Sequence, residues 1–128
     1  MKKKLLAVLI VALALSAGLF AQKTLTVWCW DPNFNVYSMN QAVSVYTKAH
    51  PDVKINIVET GNSDNLVTKL VSGLQAGGAG LPDIFLFQDF QIEQFIRDYP
   101  DAFVDLKAAG VDYSKFAAYK VGPMTVGK

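Results

Sequence analysis

The chain of 128 residues is predicted to adopt an α/β fold on a mainly parallel sheet, and three observations carry that prediction. Runs rich in β-branched and aromatic residues alternate with amphipathic stretches of helical period, giving three strand–helix units in succession. The connections have the length of right-handed crossovers. In LPDIFLFQD (81–89), Ile84, Phe85, Leu86 and Phe87 are apolar on consecutive residues. Such a run has no solvent face, which predicts an inner strand covered on both sides.

The elements follow in order. TLTVWCW (24–30) is the first strand, stopped by Asp31-Pro32. After a turn at Asn33 to Asn35, Val36, Met39, Val43 and Tyr46 recur at helical spacing, with Asn35 as a candidate cap and Pro51 closing the segment. VKINIV (53–58) alternates apolar and polar residues, so one face is less covered and the strand is expected toward a sheet edge. Asn62 to Asp64 supply capping side chains for a second helix whose stripe is Leu66, Val67, Leu70, Val71 and Leu74. That helix runs out in GGAG (77–80). A phosphate cradle lies between a strand and the following helix, whereas these glycines follow a helix, so they are taken as a stop and turn. The third strand opens at Asp83, and the third helix carries Ile92, Phe95, Ile96 and Tyr99 before Pro100. Beyond it, Phe103, Val104 and Leu106 suggest a docked segment, 112–120 a short helix, and Gly127-Lys128 the lead-in to another strand.

Composition limits the function. With 52% hydrophobic and 18% charged residues the chain is globular, although part of the apolar fraction is not fold. Residues 1–21 read as a secretory signal: Lys2, Lys3 and Lys4, an apolar core from Leu5 to Leu15, small residues at Ser16 to Gly18, and a cut after Ala21. The core is shorter than the ~20 residues of a membrane span. No cysteine lies near the cut, so the expected product is a soluble periplasmic protein and not a lipoprotein. Removing three lysines leaves nine basic against eleven acidic residues, a net −2 that gives nucleic acid nothing to hold.

Cys29 is the sole cysteine and His50 the sole histidine. Cys29 lies among Val27, Trp28 and Trp30, the setting of a buried thiol that behaves as a small hydrophobe. His50 precedes Pro51 at a helix end, so neither a Cys/His nucleophile nor a zinc site is expected, and no metal or cofactor is called for. Asp89 stands where the third strand ends, the edge at which open α/β folds collect ligands; it also precedes a helix and could cap it. Glu59 ends the second strand at the same edge.

TLTVWCW behind a signal peptide, a helix ending in KAHPDVKINIV, and LVTKLVSGLQAGGAGLPDIFLFQD followed by Asp105-Leu106 together resemble the amino-terminal lobe of extracellular solute-binding proteins of ABC importers. This is the sugar-binding, maltose-binding-protein-like family. The resemblance implies a three-layer sandwich with a mainly parallel sheet, of which residues 22–128 form an incomplete amino-terminal lobe. It implies a second lobe across a hinge, a sugar in the cleft, permease subunits with their ATPase as partners, and a monomer at full length. Family ligand contacts map onto Trp30, Asp31 and Asn33 after the first strand and onto Gln88 and Asp89 after the third. Carboxylates and amides match paired hydroxyls, and an aromatic face covers the C–H side of a sugar ring. Trp28 is expected in the core, while Trp30, beside the turn, fits core or ligand. Two rivals stay open: a secreted hydrolase using Asp31 and Asp89 as acid and base, and a small adhesion or structural domain.

Overall fold

The structure, a computed structural model, describes residues 22–125. The export segment read at 1–21 and the strand lead-in at 127–128 lie outside the described residues. Strand β1 (Lys23–Cys29) is the middle of a three-stranded parallel sheet of order β2-β1-β3. Along β2 (Val53–Glu59) it pairs over its full length, from Lys23 opposite Val53 to Cys29 opposite Glu59. On the other side β3 (Ile84–Phe85) pairs over two residues, Val27 opposite Ile84 and Trp28 opposite Phe85. The β-branched and aromatic run of β1 suits this central place, and its Val27 and Cys29 are 0% exposed.

Helix α1 (Tyr37–Ala49) links β1 to β2, α2 (Ser63–Gln75) links β2 to β3, and α3 (Asp89–Asp98) follows β3. The chain steps from β1 to β2 on one side and returns past β1 to β3 on the other. Right-handed crossovers therefore place α1 and α2 on opposite faces of the sheet, which makes the three layers. Leu66 and Leu70 of α2 and Phe95 of α3 complete the buried core. Asn62 caps α2 by accepting from the Asn65 N–H at 2.8 Å. Gly77 and Gly78, at φ 75° and 91°, end the helix in the left-handed region, as the glycine run predicts. As expected from its alternation, β2 lies at an edge among the described residues.

Four local expectations are corrected. β3 is shorter than the apolar run that predicts it: its regular pairing covers two residues, it lies at the outer position among the described residues, and Ile84 is 46% exposed. Pro82 has no N–H for a ladder, and Asp83 pairs with β1 partly through its side chain, so regular strand geometry starts late. Phe85 and Phe87 instead build an aromatic cluster, with centroids 5.8 Å from Phe103 for Phe85 and 4.8 Å from Phe95 for Phe87. The cap before α1 is Asp31 and not Asn35. Asp31 Oδ1 accepts from the N–H groups of Asn33 and Phe34, both at 2.9 Å, while Asn35 Oδ1 accepts from the Asp31 N–H at 3.2 Å. Of the segment after α3, Phe103 docks, but Val104 and Leu106 remain exposed. Lastly, 112–120 forms two short pieces, a 3-10 turn (Tyr113–Lys115) and helix α4 (Ala118–Val121).

Candidate functional site

Because all three strands run parallel, their carboxyl ends share one edge, and the order β2-β1-β3 puts a reversal of winding between β1 and β3. At such a point the loops leaving the two strands diverge to opposite faces and leave a crevice, the usual ligand position of open α/β sheets. Two loops flank it here. Trp30, Asp31 and Asn33 leave β1, and Gln88 and Asp89 follow β3. Five of the six residues expected from the sequence therefore border the switch point. Glu59 does not: it ends β2, opposite Cys29 and on the far side of β1 from β3.

The loop after β1 is held by its own side chains. Asp31 commits Oδ1 to two backbone N–H groups, and the Val36 N–H donates to the Asp31 carbonyl at 2.9 Å, five residues back. That bond closes a π-helical turn (Pro32–Val36), a geometry often found at functional positions. Among the described residues Oδ2 of Asp31 has no protein partner. The Asn33 N–H is consumed by the cap, and its side chain is exposed. Trp30 is half-buried.

On the other side Asp89 is the first residue of α3, where the open N–H groups of the helix favour a negative charge. It is not the cap: that position belongs to Gln88, which makes no capping side-chain bond. Lys120 of α4 donates from Nζ to Asp89 Oδ2 at 2.5 Å. This hydrogen bond, with the charge of Asp89, holds the Lys120 ammonium above the ordinary lysine value. Asp89 Oδ1 has no protein partner among the described residues. Each carboxylate of the crevice thus has one oxygen anchored and one unengaged.

Beneath the edge, the backbone of β2 is tied to that of β1. The Thr60 N–H donates to the Cys29 carbonyl at 2.7 Å, and the buried Thr60 hydroxyl lies 3.1 Å from the same oxygen. Burial, and then the charge of Glu59, push the Cys29 thiol up, so it is an inert core group. No cluster of three or more metal-ligating side chains occurs among the described residues.

Sequence reasoning missed two kinds of residue. Phe34 and Phe90 stand directly beside the two loops and are 70% and 78% exposed. Each falls two residues before an apolar stripe begins and opposite to its helical phase, a signal present in the sequence. Lys120 reaches Asp89 across 31 residues, and no local pattern announces that contact.

The family described as bacterial extracellular solute-binding protein matches residues 34–123. The chain belongs to that family. Among curated proteins, a lactose-binding protein of Rhizobium radiobacter is 42% identical over 116 residues. The match covers 90% of this chain and 27% of that relative, so the chain spans about a quarter of the relative's length. No solved structure matches. Membership in the solute-binding family agrees with the α/β parallel sheet and with the resemblance read in the sequence.

Proposed function

We propose that residues 22–128 form part of the amino-terminal lobe of the substrate-binding component of an ABC importer, and that the β1/β3 crevice is one wall of its sugar cleft. The observation that carries this is the pair Asp31 and Asp89 flanking the switch point, each with one oxygen anchored and one unengaged. A carboxylate held by its own neighbours presents its second oxygen to a hydroxyl with little further loss of freedom. Asn33 and Gln88 add amide donors and acceptors, and Trp30, Phe34 and Phe90 offer aromatic faces for the apolar side of a pyranose. Glu59, across β1, is the outlying member of the set. Similarity to a protein named for lactose makes a galactose-containing disaccharide the first ligand to try.

In this reading a second lobe supplies the opposite wall, the loaded protein docks on permease subunits driven by their ATPase, and the complete protein is a periplasmic monomer freed by cleavage near Ala21. The family is one of transport components and not of enzymes, and the site needs no metal or cofactor for hydroxyl recognition.

Calorimetric titration of the complete protein with lactose tests the proposal. Asp89→Ala should remove charge-assisted hydrogen bonds worth ~1.5 to 3 kcal/mol, about one to two decades in affinity. Asp101→Ala, in the exposed 3-10 turn (Pro100–Ala102) beyond α3, should leave the affinity unchanged. Equal effects of the two would show that the ligand edge is misplaced, and release of reducing ends from lactose would favour a hydrolase using Asp31 and Asp89.

A further inference from the structure

The Asp89–Lys120 pair joins the first residue of α3 to α4 and is the one ion pair among the described residues that brings together groups far apart in the chain. Its side chains are 43% and 51% exposed. Pairs this open to water add little to fold stability, so holding the fold together does not account for it. Its effect falls on the charge of the crevice. The acidic groups at the carboxyl edge are Asp31, Glu59 and Asp89, and Lys120 is the cation that contacts one of them. With Lys120 in place Asp89 presents a single unengaged oxygen, and the pair as a whole carries no net charge. Without it, Asp31 and Asp89 would leave two uncompensated carboxylates flanking the crevice, which would draw in cations.

We infer that Lys120 is a specificity-determining residue of the crevice: by neutralising and orienting Asp89, it makes the site accept uncharged polyhydroxyl solutes and reject cationic ones. Rejection is the stronger half of such discrimination, because an ammonium on the ligand would be forced beside the ammonium of Lys120. The inference rests on the proposed contact between Asp89 and a sugar. Lys120 also sits beside Tyr119, its Nζ 5.7 Å from the ring centroid, so the aromatic face helps keep the ammonium in place.

The experiment compares affinities of the complete protein for lactose and for lactosamine, whose free amine is protonated below neutral pH. Wild-type protein should prefer lactose. Lys120→Gln should move the lactose-to-lactosamine ratio toward lactosamine by about tenfold or more, Lys120→Arg should keep the wild-type ratio, and Asp89→Asn should weaken lactose binding. An unchanged ratio in Lys120→Gln, with Asp89→Asn still impaired, overturns the role of Lys120 and leaves the site intact; a lower melting temperature without a change of ratio is the same result. If Asp89→Asn binds lactose like wild type, or if wild type binds neither sugar, the sugar-binding role of Asp89 fails and Lys120 loses its function with it.

Discussion

Thr26 and Asp83 are joined by two hydrogen bonds that imitate a strand pair. The Asp83 N–H donates to the Thr26 carbonyl at 3.0 Å, and the Thr26 N–H donates to Asp83 Oδ2 at 2.7 Å. A carboxylate here takes the acceptor role that a neighbouring strand's carbonyl would fill. The ladder resumes where the Leu86 N–H donates to the Trp28 carbonyl at 3.1 Å. The chain therefore enters β3 already in register, three residues before Leu86 and six before Asp89.

Asp83→Ala should thus lower stability by ~1.5 to 2 kcal/mol, the lower part of the range for hydrogen bonds to charged groups, since the site is exposed. Asp83→Asn keeps an acceptor and should lose less. Urea midpoints measure both, and an alanine variant as stable as wild type would show that the backbone contacts alone set the register of β3.

Asp31 has a local task and a proposed ligand task, and substitution can separate them. Asp31→Ala removes the acceptor for Asn33 and Phe34 and should cost ~1 kcal/mol as the loss of a helix cap. Asp31→Asn retains a capping oxygen, so its melting temperature should stay near wild type while lactose affinity falls with the lost charge. Equal affinity in wild type and the asparagine variant would reduce Asp31 to a cap.

Cys29 predicts a pH dependence with a definite sign. Its native thiol lies above the ordinary value because of burial and then the charge of Glu59. From about pH 8.5, where an unfolded thiol ionises, up to the raised native value, the unfolded chain has released the proton that the folded chain still holds. Stability therefore falls as pH rises through that window and is unaffected below it. Cys29→Ala has no such limb, so the advantage of wild type over the variant should shrink above pH ~8.5. A constant difference across the window, or rapid reaction of the native thiol with a disulfide reagent, would show an accessible cysteine.

Periodicity and turn chemistry make the alternation of elements, the edge position of β2 and the glycine stop of α2 legible in the sequence. They do not give the length of β3, because a consecutive apolar run records burial without saying what provides it. Among the described residues Phe85 and Phe87 pack on Phe103 and Phe95 from neighbouring segments. Asp31 and Asp89 were findable because strand ends are readable. Which carboxylate oxygen is engaged was not, since Lys120 arrives from 31 residues away and the cap at Asp31 depends on a π-helical turn whose five-residue bond leaves no compositional trace.

The approach to β3 also predicts how residues 22–128 behave in isolation. A groove of about 250 Å³ runs beside it, lined by Leu70, Leu74, Leu81, Phe85, Phe103 and Leu106. Ile84 is half-exposed at the same place, and β3 has no neighbour on its outer side among the described residues. An open strand edge next to apolar surface is a template for pairing with another chain. Residues 22–128 alone should therefore self-associate at micromolar concentration in sedimentation and unfold over a broad urea range. No lactose-dependent shift of the midpoint is expected, because one wall of a cleft leaves the sugar open to water. Ile84→Lys places a charge on the edge and should lower association without weakening the core around Val27, Leu66 and Leu70. A monomeric, sharply unfolding and lactose-stabilised fragment would overturn both the exposed-edge argument and the assignment of the second wall to another lobe.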